Sequence, residues 1–477
     1  MEQSQNAHVP RRALSGLDGT LLVIGSMIGS GIFIVSADIA RNVGSAGWLI
    51  MVWVLTGVLT LAAALSYGEL AGMFPKAGGQ YVYLREAWGK RIGFLYGWAF
   101  FAVIQTGTIA AVGVAFGKFL GYIVPSLGEV KITPESWTFS INASQLVAIG
   151  IIVLLTAINT RGVESGKWIG AVFTFSKIAA MAALIIAGFL IVKNGAGAVN
   201  WSDAWTARKV TVDNLSGAIH HELLQGSGLV VALCVAAVGS IFSSDAWNSV
   251  TFIAGEMKRP ERNIGLSLFI GTLVVTVLYI TMNLMYLNVL TVSEISKAPQ
   301  DRVALAASLK LFGNVGTTLI AVLVMISTFG CNNGLILSGA RVYNTMAHDG
   351  LFLPQAKKLN SNGVPAVALW MQAAWASLLC LSGRYGDLLD YIVFVALVFY
   401  ILTIGGIFRL RRTAPDMPRP YKAIGYPVVP VLYIALATII CVVLLRHKPN
   451  YTWPGLFIVL LGLPIYWILN RRAATRN

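Results

Sequence analysis

Gly25-Ser26-Met27-Ile28-Gly29-Ser30-Gly31-Ile32-Phe33 interrupts the first long apolar segment with three glycines. Glycine inside a helix costs about 1 kcal/mol relative to alanine, so the cluster predicts a break in a membrane-spanning helix. In hydrocarbon, unwound backbone persists only where protein buries it or where it lines a polar cavity. The helix that resumes after the break offers free amides and the positive end of its dipole, a site suited to a carboxylate. The competing reading is packing, because Gly25 and Gly29 form a small-xxx-small pair. Gly31 adds weight to the break. Ile28, Gly29, Ser30, Gly31 and Ile32 are the candidate carboxylate site.

A second polar run, Phe242-Ser243-Ser244-Asp245-Ala246-Trp247-Asn248, cuts a later apolar segment. Two interrupted helices in the two halves of a membrane chain point to a transporter's binding site. A charge in mid-membrane costs about 3 kcal/mol, so Asp245 is expected to face a cavity or a partner. It either attracts a cation or caps the second half-helix, and the cap is the favoured reading. Phe242 is read as a lid, Trp247 as packing. Lys177, deep in the fifth apolar segment, has no acidic neighbour in sequence and too much apolar chain on either side to snorkel easily. It could carry a proton, or replace a bound cation by donating to carbonyls of the broken first helix. Lys118 lies nearer a span end and is read as snorkelling. Gln105, Thr106, Asn332 and Asn333 are read as interhelical packing groups.

Of the 477 residues, 56 % are hydrophobic and 12 % charged, which marks an integral membrane protein. The net charge of +15 is spread between apolar segments, with no basic-aromatic motif for nucleic acid. Twelve spans are read, near 15–40, 44–74, 90–122, 143–160, 166–192, 229–254, 264–290, 314–345, 365–382, 387–410, 427–446 and 453–470. Lys and Arg favour the side of the N-terminus by about two to one, so both termini are expected in the cytoplasm of a plasma (inner) membrane protein. The first segment is read as a retained span, not a signal peptide.

The lengthwise division is a tail (1–13), a first repeat (14–193), an outer loop (194–228), a second repeat (229–410), a connector (411–426), two further helices (427–471) and a tail (472–477). The outer loop reads as interfacial, anchored by Trp201 and Trp205. Its His220 and His221 lack further ligands, and no metal or cofactor is expected. Lys76–Arg85 reads as an amphipathic helix lying in the interface. Residues 411–430, with Pro415, Pro418, Pro420, Pro427 and Pro430, read as a connector that separates the last two spans from the first ten. Cys234, Cys331, Cys380 and Cys441 have no disulfide or zinc spacing. No nucleophile triad, phosphate loop or carboxylate pair indicates an enzyme.

Several strings are specific: Gly25–Phe33, Tyr67-Gly68-Glu69-Leu70, Phe74–Ala87, Trp247-Asn248, Glu256–Ile264 and Gly339-Ala340-Arg341-Val342-Tyr343. On these the chain resembles the amino acid–polyamine–organocation superfamily, nearest to bacterial members of its L-type amino acid transporter branch. The resemblance implies an all-α membrane fold of five-plus-five inverted repeats, with broken helices 1 and 6 and two extra C-terminal helices. It implies that amides around Ser30, Gly31 and Ile32 hold a substrate carboxylate. Carbonyls around Ile241, Phe242, Ser243 and Ser244 would take the ammonium, with Phe242 as gate and Lys177 standing where sodium binds in coupled relatives. The implied function is sodium-independent exchange of neutral L-amino acids; proton symport and cationic amino acid or polyamine transport are the alternatives. Animal members join a single-span partner through a cysteine after the third span. Residues 123–142 hold none, so that linkage is not expected.

Overall fold

The structure is a computed structural model that describes residues 14–128, 130–133, 141–161, 164–192, 196–212, 219–382 and 385–474. Within these ranges the side chains of 164–171, 212, 219–221, 382, 387 and 469–474 are not described. The N-terminal tail, the last three residues, the boundary at 193 and the His220–His221 side chains therefore lie outside the description.

The first part of the chain forms α1 (Gly16–Met27), α2 (Ser36–Val43), α3 (Ala46–Met73), α4 (Gln80–Trp88), α5 (Lys90–Ala99), α6 (Gln105–Ile123), α7 (Ala143–Thr160) and α8 (Glu164–Ile191). A short connection holds α9 (Gly197–Ser202) and the hairpin β1 (Arg208–Val212) and β2 (Ile219–Leu223). Then come α10 (Gly226–Ser243), α11 (Ser249–Phe252), α12 (Pro260–Val289), α13 (Val292–Ser296) and α14 (Val303–His348). The chain ends with α15 (Ala366–Ser382), α16 (Tyr385–Thr413), α17 (Val428–His447) and α18 (Pro449–Ala474). Among the described residues, ten helices are long and apolar enough to cross a membrane, and Gly16–Met27 and Ala366–Leu381 are shorter apolar helices.

Lipid offers no hydrophobic reward for helix association, so close approach matters. A side chain on Gly57 would strike Thr276, and one on Gly271 would strike Val23; these glycines let α12 nest against α3 and α1. Ser15 and Asp18 form a capping box that starts α1. The eighth apolar segment extends further than its sequence suggested. It runs from Val303 to His348 and bends at Gly313, whose φ of 64° suits glycine. A π-helical turn at Phe100–Ile104 separates α5 from α6, where the sequence shows only one smooth apolar run.

One expectation needs correction, and two elements show more than their sequence suggests. Residues 76–85 do not form an interfacial helix: in α4 the side chains of Gln80, Tyr81, Val82, Tyr83, Leu84 and Ala87 are buried. The helix packs against α5 and α16, so Gln80 and the tyrosines serve interior contacts while Arg85 and Glu86 stay at the surface. The outer connection is anchored through Trp205, as its tryptophans suggest, and part of it is regular. It carries a hairpin pairing Arg208 with Leu223, and Trp205 packs edge-on against Trp48, ring centres 5.6 Å apart. Trp48 Nε1 also donates to the Trp205 carbonyl at 2.8 Å, so this tryptophan anchors the loop to α3.

The proline-rich connector, finally, does more than join α16 to α17. It folds back on α3, where Glu69 is fully buried. Arg411 donates twice to that carboxylate, at 2.9 and 2.6 Å, and the Ala423 amide adds a third bond at 2.8 Å. Arg419 in turn donates to the carbonyls of Leu410, Ala414, Pro415 and Met417, which closes the connector into a knot. A buried carboxylate needs such compensation.

Candidate functional site

The first apolar segment breaks where its glycines cluster. Helix α1 ends at Met27, a 3-10 turn covers Gly31–Phe33, and α2 resumes at Ser36. Ser30, Gly31 and Ile32 are buried. Among the described residues, no carbonyl or side chain accepts from their three amides. Buried N–H groups are nearly always paired, so three unpaired in sequence form a concentrated donor site. Packing also operates here. A Cβ on Gly25 would meet Thr174 Oγ1, one on Gly29 would meet Cys331 Sγ, and one on Gly31 would overlap Ser243 Oγ.

Lys177 reaches this break from α8. Its Nζ, in a residue 3 % exposed, donates to the carbonyls of Gly25 and Ile28 at 2.8 Å each and lies 3.4 Å from that of Ser327. The ammonium thus occupies a cage of carbonyl oxygens, the ligand type a small hard cation would take. Ser327 Oγ also donates to Ile28 O, at 3.3 Å.

The second break runs from Ser244 to Asn248, between α10 and α11, with Ala246 at a left-handed φ of 64°. For a residue with a Cβ this backbone is strained and must be held by its surroundings. The Ser243 Oγ bonds back to Gly239 O, and the Ser244 amide closes on Ser240 O and Ile241 O. Phe242 is buried edge-on against Tyr385, 6.0 Å between ring centres. Trp247 is core: it packs at 4.7 Å from Tyr67 and 5.5 Å from Tyr400.

Asp245 does not cap α11. The N-cap of that helix is Asn248, without a side-chain bond, while Asp245 Oδ1 accepts from the Tyr400 hydroxyl at 2.5 Å. The carboxylate is drawn sideways because α16 presents a phenol there, which local sequence does not reveal. Asn248 Nδ2 continues the network to Gln80 Oε1, 3.2 Å, and Gln80 Nε2 reaches Thr403 at 3.1 Å.

Other residues joining the two breaks were not singled out in the sequence. The Tyr279 hydroxyl of α12 lies 2.9 Å from Met27 O and 3.1 Å from Ser243 O, one carbonyl from each break. Tyr385 OH lies 3.2 Å from Ser30 Oγ, the side chain of the residue bearing the first of the three unpaired amides. Isolated tyrosines in apolar helices carry no local signal. Lys118, expected to snorkel, is instead buried, with Nζ 5.8 Å from the centre of the Tyr385 ring. Gln105 donates to Leu335 O at 2.6 Å and Asn332 to Ile109 O at 3.3 Å, as interhelical packing groups do. Asn333 accepts from Asn159 at 2.7 Å, and Thr106 closes the π turn through Phe101 O at 2.6 Å. The four cysteines are buried and free, and no metal-binding cluster of His, Cys, Asp and Glu occurs among the described residues.

Two interrupted helices meeting inside a bundle of long apolar helices define a multi-pass membrane carrier for a small solute. The chain belongs to the amino acid permease family, which it matches over residues 14–469, and is thereby an amino acid transporter. It is 29 % identical to a serine/threonine exchanger of Bacillus subtilis, over 95 % of this chain and 96 % of that one. It is also 29 % identical to the human large neutral amino acids transporter small subunit 2, over 94 % of this chain and 78 % of that one. A human b(0,+)-type amino acid transporter 1 is 27 % identical, over 96 % and 88 % of the two chains.

Proposed function

We propose that the protein is an alternating-access exchanger of neutral L-amino acids that needs no sodium. The observation carrying this reading is the set of three buried, unpaired amides at Ser30, Gly31 and Ile32, beside a lysine ammonium that fills a carbonyl cage. The amides bind the substrate carboxylate. Carbonyls from Ile241 to Ser244, with Asp245 beside them, receive its ammonium, and Phe242 closes over it. Lys177 supplies the fixed positive charge that a bound cation would otherwise bring, which removes the need for sodium. Exchange by relatives such as the serine/threonine exchanger supports the mode of transport.

The proposal extends to architecture. Ten long apolar helices, the broken first span and the short α15 sum to twelve crossings. Residues 14–193 and 229–410 form inverted repeats, 194–228 the outer loop, 411–426 the inner connector, and 427–471 two added helices. Both termini (1–13 and 472–477) face the cytoplasm, and the carrier works as a single chain with no disulfide-linked partner, as the buried cysteines favour.

The test is uptake of a radiolabelled panel of the twenty L-amino acids into proteoliposomes, empty or preloaded with unlabelled amino acid. Uptake confined to preloaded vesicles and indifferent to sodium is the expected result. Uptake into empty vesicles driven by an acidic exterior would replace this reading with proton symport through Lys177. One observation favours a second substrate class: among the described residues Asp245 has no cationic partner. Arginine or polyamine uptake that disappears in Asp245→Asn would establish that class.

A further inference from the structure

A cavity of about 180 Å³ lies between α1, α8 and α14, running from Leu14 at one end to Gly25 and Lys177 at the first break. Most of its wall is apolar, including Leu21, Leu22, Phe173 and Leu337. Several of its polar side chains keep hydrogen-bonding groups without a partner among the described residues. Ser26 is 6 % exposed, lines the cavity and has no partner for its hydroxyl among the described residues. Asn333 accepts through Oδ1, but its Nδ2 group finds no acceptor among them. Near the Leu14 end, Glu256 Oε1 and Arg341 Nη1 stand 2.6 Å apart, their side chains 27 % and 18 % exposed. That contact engages one oxygen and one nitrogen. Among the described residues the other carboxylate oxygen and the remaining guanidinium N–H groups are unpartnered.

The geometry points to a second amino-acid-binding site in this cavity, in which Arg341 takes the carboxylate and Glu256 the ammonium of a free α-amino acid. The proposal rests on the transport reading above, since the cavity leads to the first break. The chemistry is matched at both ends of the zwitterion. A guanidinium fork binds a carboxylate through two parallel hydrogen bonds, and a carboxylate accepts from an ammonium. Binding replaces one single-contact ion pair by two charge-assisted contacts, so the pair opens without leaving either charge alone. Ser26 and the Asn333 amide supply further hydrogen bonds, while the apolar wall receives an uncharged side chain. A zwitterion moving between the cavity mouth and the first break thus finds a polar holding point instead of an apolar barrier.

The test is equilibrium binding to the purified full-length protein, using the amino acid that exchanges fastest in the panel. Wild type is expected to bind two molecules per chain with different affinities. Arg341→Lys and Glu256→Gln each keep one site and weaken the other, on the order of tenfold. Leu337→Trp, which fills the cavity without touching either charge, removes the same site by an independent route. One molecule per chain in wild type, or two unweakened sites in all three variants, overturns the proposal and leaves the transport reading intact. No binding together with no exchange of any panel member overturns the transport reading instead.

Discussion

The two helix breaks solve the same physical problem with opposite materials. The first is almost all backbone: glycines and one serine expose amides, and the compensating charge arrives from a different helix as Lys177. The second is mostly side chain: Asp245, Trp247 and Asn248 are each engaged by α16, α4 or α3, and they flank the strained Ala246. Backbone amides cannot be altered by substitution, whereas side chains can. The first break therefore suits the carboxylate, which is the same in every amino acid, and the second combines carbonyls for the ammonium with side chains that can differ between carriers.

The sharpest way to break this contrast is Lys177→Met, which removes the ammonium from the buried carbonyls of Gly25 and Ile28 and leaves the latter only Ser327 Oγ as a side-chain donor. Each such group costs about 1–3 kcal/mol, so a fall in melting temperature and complete loss of exchange are expected. Thermal unfolding in detergent and proteoliposome exchange read the two effects separately. Gly31→Ala comes next, because the new Cβ would lie 2.0 Å from Ser243 Oγ and force the two breaks apart. Overpacking of this kind costs about 1–3 kcal/mol. Substrate binding should fall by on the order of tenfold to a hundredfold while the protein still purifies as a single species.

Asp245→Asn tests the other break. The amide still accepts from Tyr400, so neutral exchange should stay within about threefold of wild type, a change below 1 kcal/mol. A collapse of neutral exchange would show that Asp245 itself, and not only the carbonyls beside it, holds the common ammonium. A slightly larger effect than that is expected of Tyr385→Phe, which deletes the contact with Ser30 Oγ and retains the ring against Phe242. One hydrogen bond of about 1 kcal/mol predicts a roughly fivefold change in half-saturation concentration, measured from initial exchange rates.

How much of this was legible in the sequence follows from the range of the forces involved. The apolar segments and both breaks are local: glycine clusters and a Ser-Ser-Asp run inside apolar chain announce themselves within one helical turn. Lys177 stood out because a lysine in mid-span demands an explanation, and the cage at Gly25 and Ile28 supplies one. What escaped was non-local. Asp245 looked like a cap because its own neighbours offered only amides, yet its partner Tyr400 lies 155 positions away in sequence. Glu69 gave no hint that the connector would fold onto it from 342 and 354 positions downstream. Gln80 at the start of α4 suggested a water-facing surface, although it turns inward toward α16 and the second break.

Tyr279 has a consequence of its own. One phenol contacts a carbonyl from each break, so the amide end and the carbonyl end of the proposed site are riveted to a common point on α12. The two halves then act as the jaws of a calliper whose opening is preset. A molecule is measured by the distance between its amino and carboxyl groups before its side chain is inspected. On this basis β-alanine, one carbon longer between those groups than alanine, is excluded by length alone.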